Sequence, residues 1–384
     1  METEIVAVDK ENVRDEDLLE AAHIIRKGGL VAFPTETVYG LGANALDEEA
    51  AKKIYEAKGR PSDNPLIAHI AQCSELEPLV SEIPEAGRRL MEAYWPGPLT
   101  LVFPKSDRVP YGTTGGLDTV AVRMPSDPVA RALIRLAEVP VAAPSANTSG
   151  RPSPTEAGHV YEDMNGRIDM ILDGGPVGIG LESTIVDVTG PVPMLLRPGA
   201  ITLEMLRETV GDVEVDPAVS GPVTLDRKPK APGMKYRHYA PAAELILVEA
   251  DESGDNDSRE SEGGKVRDRQ QDPQEKGKGN QNPAGDRVVS AITRKALEDL
   301  EKGMEVGILC ADETRDFYPR GAVIRSLGTR SREETIAHNL FKALREFDDL
   351  KVDRIYSESF SRERLGQAIM NRLTKAAGYH VLKV

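Results

Sequence analysis

Short apolar runs of strand length recur along this 384-residue chain, mostly separated by segments of helical spacing and closed by polar, glycine-containing turns. That alternation constrains the fold more than any other feature, because it calls for helices packed on a sheet, an α/β architecture. The stretch Leu30-Val31-Ala32-Phe33-Pro34-Thr35-Glu36-Thr37-Val38-Tyr39-Gly40-Leu41-Gly42 is its leading example. An apolar strand opens there into hydroxyls, a carboxylate, a phenol and two glycines. Such an opening is a common way to hold reactive groups at a sheet edge, although an ordinary strand and turn would read the same. Several strands lack an intervening helix, so the expected sheet is more open than a regular βαβ repeat.

The remaining elements follow from spacing. Leu18, Leu19, Ala22 and Ile25 share a face of a helix predicted over 15–27, which Gly28-Gly29 ends. Asp47 is a candidate N-cap for a helix over 47–57 that leads into Lys58-Gly59-Arg60. Strands are predicted over 66–70 (with alternating faces), 99–103, 119–123, 139–143, 170–172 and 185–188, and helices over 85–94, 127–136, 154–164 and 203–210. Residues 216–230 carry no periodicity and read as a linker. They run into Ala231-Pro232-Gly233-Met234-Lys235-Tyr236-Arg237-His238-Tyr239-Ala240-Pro241, where cations, tyrosines and a histidine are too concentrated for a plain tether. Beyond it, strands over 244–248, 306–310, 322–326, 354–357 and 379–382 alternate with helices over 288–300, 331–347 and 365–377, the last closed by Gly378. This suggests a small parallel sheet of Rossmann type with no glycine-rich dinucleotide fingerprint. Residues 251–287 hold almost no large apolar side chains and are expected to be a disordered insertion. The length exceeds one ordinary core, so the expected division is a catalytic domain over 1–212, a linker over 213–242 and a C-terminal domain over 243–384.

Composition excludes some functions. The formal charge of -15 argues against a nucleic-acid binder with a broad basic surface, though a local basic cleft remains open. Two distant cysteines, Cys73 and Cys310, form neither a disulfide framework nor a zinc site. No P-loop, H-x-x-x-H or C-x-x-C pair is present, and a metal held by side chains is not expected. The acidic start after Met1 is not a signal peptide, and no apolar run reaches membrane-spanning length, so the expected location is the cytoplasm.

The groups left for chemistry are cationic and hydroxyl-rich. In an extended segment Lys58 and Arg60 would point to one side and suit a polyphosphate or a carboxylate, although solvated surface positions are the usual fate of such residues. Ser145 and Asn147 repeat that spacing after another strand, where a turn is the simpler reading. Arg123 and Arg197 each end an apolar strand, where a buried charge needs a partner. His69 on a strand is by itself most simply a core histidine.

The motifs P-T-E-T-V-Y-G-L-G, K-G-R-P-x-D-N-P-L, W-P-G-P-L-T, R-M-P, S-A-N-x-S-G, E-S-T-I-V-D, L-R-P-G and P-G-M-K-Y-R-H-Y-A-P stand in one order. Together they resemble the YrdC-type threonylcarbamoyl-adenylate synthase family in its long, two-domain form. The resemblance implies a YrdC-like open twisted α/β domain with a concave cleft, followed by a smaller Rossmann-like domain. It implies that L-threonine, bicarbonate or CO2 and ATP, with Mg²⁺ carried by the phosphates, give threonylcarbamoyl-AMP and pyrophosphate. The product would serve a downstream tRNA threonylcarbamoyl transferase complex, with transient tRNA contact and no membrane. By matching motif positions, Thr35, His69, Arg123, Ala143 and Ser183 would surround threonine. Arg60, Asn64, Thr119, Ser145, Asn147, Ser153, Arg197 and Tyr236 would surround ATP, with Lys58 and Arg60 stabilising charge and the linker motif from Pro232 to Tyr239 covering the nucleotide as a lid. Two rival readings are an RNA-binding module without turnover and a maturation enzyme that forms a carbamoyl adenylate.

Overall fold

The computed structural model describes residues 2–219, 221, 229, 231–232, 238–251 and 283–384, and it contains two sheets. The first unit begins with β1 (Glu4–Ala7), α1 (Leu19–Arg26), β2 (Val31–Phe33), β3 (Gly40–Asn44) and α2 (Glu48–Lys58). It continues through β4 (Ile67–His69), α3 (Glu85–Tyr94), β5 (Leu99–Pro104), α4 (Tyr111–Thr114), β6 (Thr119–Arg123) and α5 (Pro128–Ala137). It is completed by β7 (Val141–Ala142), α6 (Ala157–Met164), β8 (Met170–Asp173), β9 (Thr184–Asp187), β10 (Met194–Arg197), α7 (Leu203–Val210) and β11 (Glu214–Val215). The second unit holds β12 (Glu244–Glu249), α8 (Pro283–Leu300), β13 (Val306–Cys310), β14 (Val323–Ser326), α9 (Glu333–Asp349), β15 (Arg354–Glu358), α10 (Arg364–Ala376) and β16 (Val381–Lys383).

The first sheet has 11 strands in the order β1-β8-β2-β3-β7-β4-β6-β5-β9-β10-β11, with parallel and antiparallel pairs mixed. Helices cover both of its faces. One core gathers Ile54, Leu76, Leu90 and Val160 under one face, and another gathers Leu18, Ile25, Leu133 and Ile134 under the other. Strands covered on both sides lose the alternation of a half-solvated sheet. This is why β4, expected to have alternating faces, is buried at all three positions.

The largest departure from the sequence reading is β3, which falls where a turn was expected. Its glycines allow the strand to form. A Cβ at Gly42 would lie 2.8 Å from the Phe33 ring and 2.9 Å from Val141, so only glycine lets those side chains close on the backbone. The turn is confined to Pro34–Tyr39 and is held locally: the Thr35 hydroxyl accepts from the Thr37 and Val38 amides and donates to the Val38 carbonyl at 2.6 Å. Elsewhere the Asp47 cap agrees with the sequence, and Asp127 caps α5 in the same way. Asp47 accepts from the Glu49 and Ala50 amides, and Asp127 from those of Val129 and Ala130.

The second sheet is parallel throughout, in the order β14-β13-β15-β12-β16. α8 packs on one face, while α9 and α10 build a core on the other. That second core also takes in Val38 and Leu181 of the first unit and Tyr239 between the units. α8 starts at Pro283, so residues 283–287 of the expected insertion are helical, and residues 252–282 lie outside the described residues. The expected linker over 213–242 holds β11 and then a short 3-10 helix, Pro217–Val219, whose Ala218 and Val219 are buried. Among the described residues no helix is long and apolar enough to cross a membrane.

Candidate active site

The ends of β2, β4, β6, β7 and β10, with the turn before β9, meet around a cleft. Of the residues singled out from sequence, Thr35, Arg60, His69, Arg123, Ala143, Ser145, Ser183 and Arg197 line it.

One wall is built around Arg123. Its Nη1 donates to the Thr37 hydroxyl at 2.9 Å, its Nε donates to the Gly97 carbonyl at 3.3 Å, and its Nη2 lies 2.8 Å from the Glu36 carboxylate. Burial works to raise the Glu36 pKa, but Arg123 outweighs it and holds the carboxyl below its ordinary value. His69 faces the same wall, with Nδ1–H donating to the Ile67 carbonyl at 3.1 Å. Burial first, and then Arg123, push its pKa down to about 3, so the imidazole is neutral at physiological pH.

The opposite wall carries Arg197, which donates through Nε to the Ser183 carbonyl at 3.0 Å and through Nη2 to the Ser183 hydroxyl at 3.1 Å. That hydroxyl also bonds Thr100 at 2.8 Å. Burial lowers the pKa of both Arg60 and Arg197 to about 10, which leaves them charged at neutral pH. Arg60 donates to the Asn64 and Pro65 carbonyls at 3.2 and 3.0 Å, and its Nε is buried without a partner among the described residues. A partly buried cation with such a donor suits an anionic ligand.

Lys58 and Arg60 do not lie on an extended segment. Lys58 is the last residue of α2, and Gly59 at φ 61° turns the chain. The lysine is 2% exposed and does not line the cleft; its Nζ donates to the Ser145 and Asn147 carbonyls, both at 2.5 Å. Burial, and then Arg60, hold its pKa well below the ordinary lysine value. Asn147 is likewise behind the surface, its Oδ1 accepting from Ser145 Oγ at 2.6 Å. Ser153 donates to Glu182 at 2.5 Å from behind the lining. Asn64 and Thr119 sit away from the cleft but close to each other. β4 and β6 run parallel with Ile67 opposite Ala121, so Thr119 is level with Pro65 at the far end of both strands from His69 and Arg123. Arg60 bridges the two regions through its bonds to the Asn64 and Pro65 carbonyls. Tyr236 lies outside the described residues.

The cleft also contains Thr37 and Glu182, which the sequence reading did not assign, together with Pro232, His238 and Tyr239 of the segment expected to cover the nucleotide. All fall inside the quoted motifs, so the motifs themselves were the signal. His238 Nε2 is buried without a partner among the described residues, and burial followed by Arg60 lowers the ring's pKa to about 3. Tyr239 stacks on Phe341 of α9 at 5.2 Å between ring centroids, which ties the end of the linker to the second unit. Among the described residues no group of three or more His, Cys, Asp or Glu is placed to hold a metal ion.

Two buried guanidiniums and a partly buried third around one cleft, with a neutral imidazole and several hydroxyls, define a site suited to small anionic ligands at the strand ends of an open α/β sheet. Comparison with known proteins narrows the class. The Sua5/YciO/YrdC family model, described as "Telomere recombination", matches residues 23–199, and the "Threonylcarbamoyl-AMP synthase, C-terminal domain" model matches residues 201–378. The threonylcarbamoyl-AMP synthase of Pyrococcus abyssi is 49% identical, covering 98% of each chain. That of Bacillus subtilis is 46% identical, covering 98% of this chain and 97% of its own. The crystal structure of Pyrococcus abyssi Sua5 complexed with L-threonine superposes with a TM-score of 0.85 at 47% identity, covering 100% of both chains. The chain belongs to the two-domain threonylcarbamoyl-AMP synthase family.

Proposed function

We propose that this protein is an L-threonylcarbamoyladenylate synthase, a nucleotidyltransferase that converts L-threonine, bicarbonate or CO2 and ATP into threonylcarbamoyl-AMP and pyrophosphate. The observation that carries the reading is the convergence of buried Arg123 and Arg197 and partly buried Arg60 on one cleft, in a chain that matches synthases along its full length. The adenylate is the donor for the threonylcarbamoyl modification of tRNA, passed to a transferase complex through transient encounters.

The reaction divides into two steps. The neutral amine of threonine attacks CO2 and loses a proton, giving a carbamate. A carbamate oxygen then attacks the α-phosphorus of ATP, and the bond to the bridging oxygen breaks to release pyrophosphate. No covalent enzyme intermediate is required. Thr35, His69, Arg123, Ala143 and Ser183 hold threonine. Because Glu36 already engages Arg123, the guanidinium is oriented before substrate arrives. Neutral His69 adds no charge beside the amine. Arg60, Ser145, Arg197 and Tyr236 hold the phosphate side of ATP, Asn147 and Ser153 support that wall from behind through Ser145 and Glu182, and Asn64 with Thr119 takes the remote side. Mg²⁺ enters on the phosphates and neutralises part of their charge. Arg60 stabilises charge developing on the phosphates directly. Lys58 adds its field from behind while fixing the Ser145–Asn147 loop.

The test is incubation of the full chain with ATP, Mg²⁺, L-threonine and bicarbonate, with products followed by mass. Pyrophosphate release that is indifferent to threonine would sink the proposal.

A further inference from the structure

We propose that Arg372, on α10 of the second unit, is a positioning residue of the cleft: by holding Glu182 it keeps the Arg197 guanidinium available for nucleotide phosphates. This rests on the ATP reading above. Among the described lining residues Glu182 is the one carboxylate, and it shares the cleft with Arg60 and Arg197. A carboxylate there repels a polyphosphate and competes with it for the same guanidiniums. It nevertheless stays ionised. Burial works to raise its pKa, but Arg372 first and Arg197 second bring it below the ordinary value.

The geometry shows how that competition is avoided. Oε1 of Glu182 accepts from Ser153 Oγ at 2.5 Å, and Oε2 accepts from Arg372 Nε at 2.9 Å. Both oxygens are therefore engaged away from Arg197. Arg372 is itself 0% exposed. Its Nη1 donates to the Pro198 carbonyl at 2.8 Å, and its Nη2 donates to the Glu182 carbonyl at 3.3 Å. Pro198 follows Arg197, so one guanidinium fixes the competing carboxylate and the backbone beside the cation it competes for. The second unit thereby completes the electrostatics of a cleft whose charged lining residues all come from the first.

Without Arg372, Oε2 loses its partner, and Arg197, the cation that acts on this carboxylate after Arg372, is left to attract it. The test uses the full chain and calorimetric binding of a non-hydrolysable ATP analogue and, separately, of L-threonine. Arg372→Ala is expected to weaken nucleotide binding about tenfold, the scale of one lost charge-assisted contact, while threonine affinity changes less than about threefold. Glu182→Gln in the same chain is expected to restore most of that loss, because it removes the competitor. Glu182→Gln alone should bind nucleotide at least as well as the wild type, which keeps the test open if Arg372→Ala folds poorly. Arg372→Lys should lie between wild type and Arg372→Ala. Equal weakening of both ligands, a double variant no better than Arg372→Ala, or weaker nucleotide binding by Glu182→Gln would overturn the proposal. A wild-type chain that binds no nucleotide would instead overturn the ATP reading, and this proposal with it.

Discussion

Lys58 and Arg60 are two residues apart, yet the structure gives them different surroundings. Arg60 faces the cleft with an unfilled Nε, whereas Lys58 is enclosed by carbonyls. Arg60→Ala should therefore lower adenylate formation about a hundredfold, on the order of 3 kcal/mol, with little change in melting temperature. Lys58→Ala should lower both, its stability loss being about 2 kcal/mol, because two buried carbonyls lose their donor. Parallel turnover and melting measurements decide it, and equal melting temperatures for the two variants would contradict the distinction. The pair was legible in the sequence as unusual chemistry in a shaped loop. Its geometry was not, because the reading assumed extended backbone where a helix end and a left-handed glycine stand. Histidines give a second residue-scale outcome. The pKa values of His69 and His238 are pushed down to about 3 and that of His159 to about 4, burial being the first cause in each. Unfolded imidazoles titrate near 6.5, so below that pH the unfolded chain takes up protons that the folded chain refuses, and stability is lost as pH falls toward 4. Asp127, raised by burial to about 6, opposes this between about 4 and 6, but it is one group against three. The melting temperature should fall steadily from pH 6.5 to 4.5. His159→Gln should flatten the slope by at most roughly 1 kcal/mol per pH unit, since that ring is only partly buried. A melting temperature that rises on acidification would contradict the assignment.

At the scale of elements, helices were the most legible part of the sequence. The predicted spans over 85–94 and 203–210 coincide with α3 and α7, because apolar spacing and clear stop signals agree there. Strands were less so. β1 and β3 escaped notice because one is short and charged at its start and the other is glycine-rich, and both are defined by pairing rather than by their own composition. Contacts between units were not legible at all. Gly180 is the sharpest case. At φ +87° it lies under α9, and a Cβ there would sit 2.6 Å from both the Cα and the carbonyl oxygen of His338. The atoms met are backbone and cannot swing aside. Gly180→Ala is thus expected to cost about 2 kcal/mol or more from left-handed strain plus displacement of α9, read as a lower melting temperature and reduced activity. Unchanged stability would mean that α9 does not seat there.

Across the whole molecule, the acidic chain keeps its functional cations local. The formal charge of -15 governs the surface, while Arg60, Arg123 and Arg197 are gathered in one cleft. The two units are joined by ion pairs far apart in sequence. Arg345, 1% exposed, donates to the Pro152 carbonyl at 2.7 Å and pairs with Asp163 at 2.9 Å. Arg372 joins Glu182 in the same manner. Each partner alone reads as an ordinary surface charge on a helix or loop, so periodicity could not reveal the pairing. Buried pairs of this kind define how units dock more than they add to stability. The motifs made the ligand class legible, and the fold explains why residues from 35 to 239 share one cleft. The most direct measurement of the central claim is mass analysis of the products formed by the full chain from ATP, Mg²⁺, L-threonine and ¹³C-bicarbonate. The account predicts pyrophosphate together with an adenylate that carries both threonine and the labelled carbon, and no such adenylate when any one substrate is withheld. ATP turnover yielding AMP with no threonine-containing adduct would contradict it.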